Sequence, residues 1–171
     1  MSILKHREAL LVAVIAALLA VIATRFPGFV APGNLVAVFT DTAPLMILAL
    51  GQMVVILTRC IDLSVAANLA LTGMAVAMLN TVAPGLPVAV TLVLALSLGA
   101  LMGAINGLLV WKLQIPSIVV TLGTMTIFRG IIFLMSDGQW VNAHEMSANF
   151  TGFPRAHVLG LPVLAWIAIA V

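Results

Sequence analysis

The chain has 171 residues, of which 64% are hydrophobic and only 7% are charged, with a mean hydropathy of +1.30. Soluble domains are about half apolar and about a quarter charged, so a soluble core of this length is excluded and lipid must be the main solvent. The net charge of +2 comes from scattered basic residues that form no stripe along which a phosphate backbone could lie, which argues against nucleic acid as a partner.

Five apolar runs and a shorter sixth predict an all-α, polytopic membrane protein. The runs cover residues 9–24, 35–57, 63–82, 87–110, 118–135 and 161–171. A cleaved signal peptide would also begin with basic residues such as Lys5 and Arg7, but the later runs favour a retained first span. In the second run Pro44 removes a backbone hydrogen bond, so we expect a kink there, the alternative being a helix that begins near Asp41.

The sixth run is too short to cross a membrane. Residues 161–171 cannot bridge about 30 Å of hydrocarbon in helical form. We therefore expect residues 1–171 to be the N-terminal part of a single transmembrane domain that continues further, with five spans and a truncated sixth.

Small residues recur every four positions in the fourth run, at Ala95, Gly99, Gly103 and Gly107. This spacing stacks them on one helical face and lets another backbone approach closely, as in the small-xxx-small pattern of membrane helices. We predict a helix-packing face and a span surrounded by protein.

Both signs of charge lie between the second and third runs, in the stretch I-L-T-R-C-I-D-L-S. With a cytoplasmic N-terminus, four basic residues lie inside and two outside, which agrees with the positive-inside rule. The inner ones are Lys5, Arg7, Arg59 and Lys112, and the outer ones are Arg25 and Arg155. Arg59 and Asp62 then form a cytoplasmic turn, with Arg59 as an anchor and either Asp62 or Ser64 as the cap of the third helix. The alternative is a contact with a cytoplasmic partner or a role in a gate.

Polar residues inside the apolar runs are candidates for a translocation path or gate. The candidates are Gln52, Asn68, Asn106, Thr124 and Arg129. A guanidinium in a span is costly unless it reaches water or a partner, so Arg129 either extends to the outer surface or lies on the path. The amides and hydroxyls either bind a polar solute or bond between and within helices.

The sequence predicts no catalytic, cofactor or metal site. His144 and Glu145 do not begin an HExxH motif because position 148 is alanine, and no phosphate-binding loop or nucleophile elbow is visible. The single cysteine, Cys60, excludes an internal disulfide and a cysteine pair for zinc within this sequence.

Two signatures resemble the sugar-type permeases of ATP-binding cassette (ABC) transporters, which take up ribose, arabinose, xylose, rhamnose and autoinducer 2. They are V-I-L-T-R-C-I-D-L-S-V at 55–65 and N-G-L-L-V-W-K-L-Q-I-P-S-I-V-V-T-L-G-T-M-T-I-F-R-G at 106–130. Many of these permeases read I-L-T-G-G-I-D-L-S-V-G-S in the first signature. Here Arg59 and Cys60 replace the glycine pair, and Ala66 and Ala67 replace Gly-Ser, departures that most resemble the rhamnose branch and predict rhamnose as the solute.

The resemblance implies a permease of about ten helices in the bacterial inner membrane, of which this chain is about half. Its partners would be a second permease subunit, as a homo- or heterodimer, a periplasmic sugar-binding protein, and a cytoplasmic ABC ATPase that binds the ATP. The ATPase-coupling loop would lie beyond residue 171. Residues 136–160 would face the periplasm, where they either help dock the binding protein or simply connect two spans.

Two other classes stay open from the sequence. An ion-coupled secondary transporter would carry ionisable residues at the bilayer centre, for which only Arg129 and Asp41 are candidates. A membrane-embedded enzyme or an assembly scaffold is the remaining alternative, and an enzyme would need convergent acid, base or nucleophile residues within the spans.

Overall fold

Five long helices dominate the computed structural model, which describes the backbone of residues 2–171 and the side chains from residue 8 onward. They are α1 (Ser2–Arg25), α2 (Pro32–Leu57), α3 (Val65–Val82), α4 (Val88–Leu113) and α5 (Ser117–Ser136). After them come α6 (Ala148–Gly152), the strands β1 (His157–Val158) and β2 (Leu161–Pro162), and α7 (Val163–Ala170). Each of the five long helices has the length and hydropathy of a membrane span, which confirms the predicted polytopic all-α fold.

Helix α2 begins earlier than Asp41, where one of the two sequence-based alternatives placed its start. It starts at Pro32 and runs through Pro44 to Leu57 without interruption, so a helix that begins near Asp41 is wrong. Proline is well suited to the first turn of a helix because its missing N–H has no intrahelical partner there. The sequence therefore has a starting signal at Pro32 that precedes the interior proline.

The chain divides at Pro44 into two compact units. The first contains α1, a 3-10 turn at Pro27–Val30 and the beginning of α2. Within this unit the side-chain amide of Asn34 donates to the carbonyl of Phe29 at 2.7 Å, which joins the start of α2 to that turn.

The second unit is built around α3, which packs against both α4 and α5. Its core consists of Ala67 and Leu71 on α3, Met102 on α4 and Phe128 on α5. Polar side chains are also buried, whereas many large apolar side chains point outward, such as Leu96 at 74% exposure. This distribution fits a bundle with lipid as its solvent, since lipid-facing apolar groups need no further burial.

A polar connector follows α5. The backbone N–H of Gly138 bonds back to the carbonyl of Phe133 at 3.3 Å, which ends the helix with left-handed residues at Asp137 and Gly138. Farther on, the Asn80 side-chain oxygen accepts from the backbone N–H of Ser147 at 2.7 Å. This bond fastens the connector to the last part of α3.

Candidate functional site

The predicted turn between the second and third spans comprises residues 58–64, which join α2 to α3. It lies beside the start of α5, because the backbone N–H of Ile61 donates to the hydroxyl of Ser117 at 3.1 Å. The α2–α3 and α4–α5 connections are therefore neighbours at one end of the bundle.

Along the axis of α4, the turn lies deeper in the bundle than the end of that helix. Asn106 reaches Ser64 from a position seven residues before Leu113, where α4 ends. At about 1.5 Å per residue that is about 10 Å along the helix. Non-helical backbone at such a depth is stable in a membrane only where protein groups or an aqueous cavity supply hydrogen-bond partners.

Helix α2 ends in a Schellman motif. The N–H of Cys60 bonds to the carbonyl of Val55 at 3.3 Å, and the N–H of Arg59 bonds to that of Ile56 at 2.9 Å. The motif places Arg59 in the left-handed region, with φ of 61°. Glycine is the usual residue at this position, which gives a physical reason for the first glycine of the pair in the permeases that the signature resembles.

Side chains of α2 and α5 bind two carbonyl groups of the turn. The amide of Gln52 on α2 donates to the carbonyl of Asp62 at 2.7 Å. The Thr121 hydroxyl also lies 3.3 Å from the carbonyl of Ile61, although its shorter bond, 2.8 Å, goes to the carbonyl of Ser117 in its own helix. Gln52, a candidate for the path, thus supports the turn.

Asp62, Ser64 and Asn106 form a hydrogen-bond chain with a fixed direction. One carboxylate oxygen of Asp62 accepts from both the backbone N–H and the hydroxyl of Ser64, each at 2.7 Å. Since the Ser64 hydroxyl donates to Asp62, it can only accept from Asn106, whose amide nitrogen lies 2.8 Å away. Ser64 occupies the N-cap position of α3 and its side chain makes no capping bond. The Asp62 carboxylate instead binds the Ser64 N–H just before the helix, near the positive end of the helix dipole.

The chain leaves one acceptor of Asn106 without a partner. Its side-chain oxygen is buried and accepts no hydrogen bond from the described residues, and the residue as a whole is 5% exposed. Exchanging the amide oxygen and nitrogen of Asn106 would not give the oxygen a donor. The oxygen would then face the Ser64 hydroxyl, which has no proton left to donate. A buried amide oxygen without a donor costs about 1–3 kcal/mol.

A cavity of about 440 Å³ adjoins the turn. Asp62 and Asn106 line it together with Gly103 and Gly107 of α4. A Cβ atom added at either glycine would meet no atom within 4 Å. The missing side chains of these two glycines therefore leave room at this place.

The stripe of small residues on α4 splits into two parts. Gly99 faces α3, where an added Cβ would lie 3.6 Å from the Asn68 side-chain oxygen, and the Asn68 amide donates to the Gly99 carbonyl at 3.2 Å. Positions four residues apart turn by about 40° around a helix, so Gly103 and Gly107 rotate away from α3 and reach the cavity. Ala95, at the other end of the stripe, is half-buried.

The other candidates lie away from the turn. Asn68 links α3 to α4, and the Thr124 hydroxyl bonds to the carbonyl of Val120 in its own helix at 3.1 Å. Arg129 is exposed and lines a separate cavity of about 210 Å³ with Phe133 and Trp140. The structure thus brings Gln52, Asp62 and Asn106 together and leaves Asn68, Thr124 and Arg129 elsewhere.

Sequence reasoning missed Ser117 and did not foresee that Ser64 connects two helices. The signal for Ser117 is weak, since a serine after Pro116 also suits any helix start. Only the proximity of the two connections reveals its role as an acceptor for Ile61.

A family model described as "Branched-chain amino acid transport system / permease component" matches residues 34–169. No solved structure matches the chain.

Two relatives illustrate the similarity. The autoinducer 2 import system permease protein LsrC of Enterobacter sp. (strain 638) is 37% identical over 171 residues, covering 98% of this chain and 49% of the relative. The ribose import permease protein RbsC of Haemophilus influenzae is 34% identical over 152 residues, covering 88% of this chain and 46% of the relative. The chain spans about half the length of these curated relatives.

Proposed function

Because the chain belongs to the family of ABC-importer permeases that includes these ribose and autoinducer 2 permeases, we propose that it is the N-terminal half of a subunit that imports a small polyhydroxylated solute. The match of the family model over residues 34–169 supports the permease assignment, and the similarity to the ribose and autoinducer 2 permeases carries the proposed solute class. The five apolar helices support the same conclusion, since such a permease must be a multi-pass membrane protein.

Rhamnose is our first candidate for the solute. The candidate rests on Arg59, Cys60, Ala66 and Ala67, which depart from the usual glycine and serine residues of the first signature. Ribose and autoinducer 2, the solutes in the relatives' names, are the comparison compounds for any test.

The proposed subunit performs no covalent chemistry. It offers a polar path between helices, while a separate ATPase binds and hydrolyses ATP and shifts the permease between inward-open and outward-open states. A second permease subunit completes the path, and a periplasmic binding protein delivers the sugar. The connector at 136–160 is the proposed docking element for that protein.

The orientation follows from charge. We place the N-terminus in the cytoplasm and the protein in the bacterial inner membrane, with Arg59 and Lys112 on the inner side. The 58–64 turn then lies on the side where the ATPase acts. Gln52, Asp62 and Asn106 hold this turn, and a displacement of the turn would open or close the inner end of the path. Arg129, Asn68 and Thr124 are proposed to contribute at other levels of the path.

The proposal is tested by deleting the full-length gene and measuring uptake of radiolabelled rhamnose, ribose and autoinducer 2. We expect uptake of one compound to be lost, and to return with the full-length gene only when its ATPase is active. Normal rhamnose uptake in the deletion strain would remove rhamnose as the solute. Uptake by the full-length protein that persists without the ATPase and follows an ion gradient would instead favour a secondary transporter.

A further inference from the structure

A cavity of about 360 Å³, next to the larger one at the 58–64 turn, lies where the end of α2 meets the connection between α4 and α5. We propose that it holds the phosphate group of an anionic phospholipid, with Arg59 as the cation that binds the phosphate. Phospholipid surrounds any membrane-spanning protein, so this site does not depend on which solute is carried.

Arg59 provides the positive charge of this cavity. Its side chain is exposed, lines the cavity, and makes no hydrogen bond or ion pair with the residues that the structure describes. Asp62, the nearest acidic residue in the sequence, lines the larger cavity and binds Ser64 instead. A guanidinium presents its donors in a planar fork that fits two oxygen atoms of a phosphate. The cation therefore faces a cavity to which the described part of the chain supplies no anion.

The backbone of Arg59 also argues for a role of its side chain. Arg59, with φ of 61°, and Gln114, with φ of 54°, are two of the four non-glycine residues in the left-handed region of the described backbone, and both line this cavity. Glycine would adopt such a conformation without strain. Strained residues that persist in a fold are concentrated at binding and switch sites. A ligand for the guanidinium explains why an arginine occupies this position.

Ser117 adds a hydroxyl donor. Its oxygen accepts from the backbone N–H of Ile61 at 3.1 Å, and its proton has no acceptor among the described residues. Ser117 lines the same cavity as Arg59. A hydroxyl and a guanidinium together can donate to different oxygen atoms of one phosphate group. These donors favour an anionic group over a cation or an amine.

The position of the cavity favours a lipid as the source of the phosphate. Helices α2 and α4 end beside it and α5 begins beside it, so it lies at the level of a headgroup layer. Val110, Ile115 and Ile118 give it apolar walls, against which the glycerol and the first acyl carbons of a lipid pack. Trp111 on α4, at 72% exposure, is typical of this layer. A free phosphate ion would gain nothing from the apolar walls.

Net charge selects among the phospholipids. Lys112, in the last turn of α4, is also exposed and has no acidic partner among the described residues. Cations at one headgroup layer attract anionic lipids. Phosphatidylglycerol has a net negative charge, whereas phosphatidylethanolamine carries an ammonium group that these cations repel. In the orientation proposed above, this layer is the inner leaflet.

The experiment uses the full-length protein in nonionic detergent, and native mass spectrometry counts the bound lipids. The protein is stripped of lipid and mixed with equal amounts of phosphatidylglycerol and phosphatidylethanolamine. We expect the wild type to retain several-fold more phosphatidylglycerol, and Arg59→Gly to lose this preference. Glycine fits the left-handed backbone, so this variant should fold normally. Arg155→Gln, which removes an exposed positive charge elsewhere, should keep the preference.

Cys60 reports where the lipid binds, because it lines the same cavity. Its alkylation by N-ethylmaleimide is followed by peptide mass spectrometry. Phosphatidylglycerol should slow the alkylation several-fold more in the wild type and in Arg155→Gln than in Arg59→Gly. Inorganic phosphate without lipid should give no protection.

Three results would overturn the lipid site. The first is an equal preference for phosphatidylglycerol in Arg59→Gly and the wild type, or no preference in the wild type. The second is protection of Cys60 by inorganic phosphate as strong as that by lipid, which would identify a free anion as the ligand. The third is loss of an associated protein subunit from Arg59→Gly with its lipid retention unchanged, which would assign Arg59 to a protein contact. None of these measurements involves uptake, so the proposed import function stands or falls separately.

Discussion

At the scale of single residues, the backbone of Arg59 is the most unusual feature of the turn. A residue with a Cβ atom in the left-handed region is disfavoured by about 1–2 kcal/mol, and Arg59 has φ of 61°. We expect Arg59→Gly to raise the free energy of unfolding by about 1 kcal/mol, since glycine adopts this region freely but also gains entropy in the unfolded chain. Thermal unfolding of the detergent-solubilised full-length protein measures the change.

Arg59→Lys is the matched control for that substitution, because it keeps the charge and the strained conformation. It should show no gain in unfolding temperature. A gain for lysine equal to that for glycine would mean that the arginine side chain, and not the backbone conformation, is unfavourable.

Ser64 is the middle member of the chain from Asn106 to Asp62. Ser64→Ala removes the acceptor of the Asn106 amide and one donor to Asp62. We expect a loss of about 1–2 kcal/mol, because the buried amide loses its partner although hydrogen bonds between membrane helices are individually modest. Ser97→Ala is the control, since Ser97 is exposed on α4. Equal unfolding temperatures for the two variants would show that the chain contributes nothing to stability.

At the scale of secondary-structure elements, the end of α5 depends on a glycine. Gly138 has φ of 71°, and an added Cβ would lie 3.1 Å from Cε2 of Phe133. Gly138→Ala should therefore destabilise the protein by about 1–2 kcal/mol. By contrast, Gly130→Ala in the middle of α5 meets no atom within 4 Å and should be neutral or stabilising by up to about 1 kcal/mol. Equal shifts in unfolding temperature for both variants would contradict this explanation.

The connector after α5 contains a 3-10 turn, Ala143–Glu145, whose stability depends on pH. Glu145 accepts hydrogen bonds from the backbone N–H and the side chain of Asn142, and these bonds lower the pKa of its carboxyl below the ordinary value of 4.5. Because the folded-state pKa is depressed, the stabilisation is present above the unfolded-state pKa and is lost as pH falls through the folded-state value.

Hydrogen exchange measures this dependence. We expect the protection factor of the Asn142 amide to fall as pH decreases below the ordinary carboxyl value of 4.5, because protonation weakens the acceptor. Glu145→Gln has no such titration and should show no step in that range. Identical pH profiles for the two proteins would exclude the carboxylate as the cause.

The elements were more predictable from the sequence than the site. Long apolar runs identified the five spans, because hydropathy averaged over a helix is a strong signal. The position of Ser64 at the start of α3 was among the local alternatives. The contact of Asn106 with Ser64 spans 42 positions, and no local pattern encodes such a distance. The sequence pattern placed the small residues, four positions apart, on one face of α4. Each step of four residues turns by about 40° around the helix, so Gly99 and Gly103 face different surroundings.

At the scale of the whole molecule, apolar side chains cover the surface and polar ones hold the interior together. Ser64, Asn80 and Thr91 are almost completely buried, at 0%, 1% and 1% exposure. In lipid, buried polar groups need hydrogen-bond partners inside the protein. Helices α2, α4 and α5 supply such partners to the 58–64 turn. The turn is therefore where four elements of the chain meet.

We propose that the helices cross the membrane and leave the 58–64 turn on the inner side, where an ATPase can act. Labelling of Cys60 with a membrane-impermeant maleimide, read by peptide mass spectrometry on the full-length protein, tests it most directly. We expect labelling in inside-out vesicles and none from outside in intact cells whose outer membrane has been made permeable. Ready labelling of Cys60 from outside those cells would contradict it.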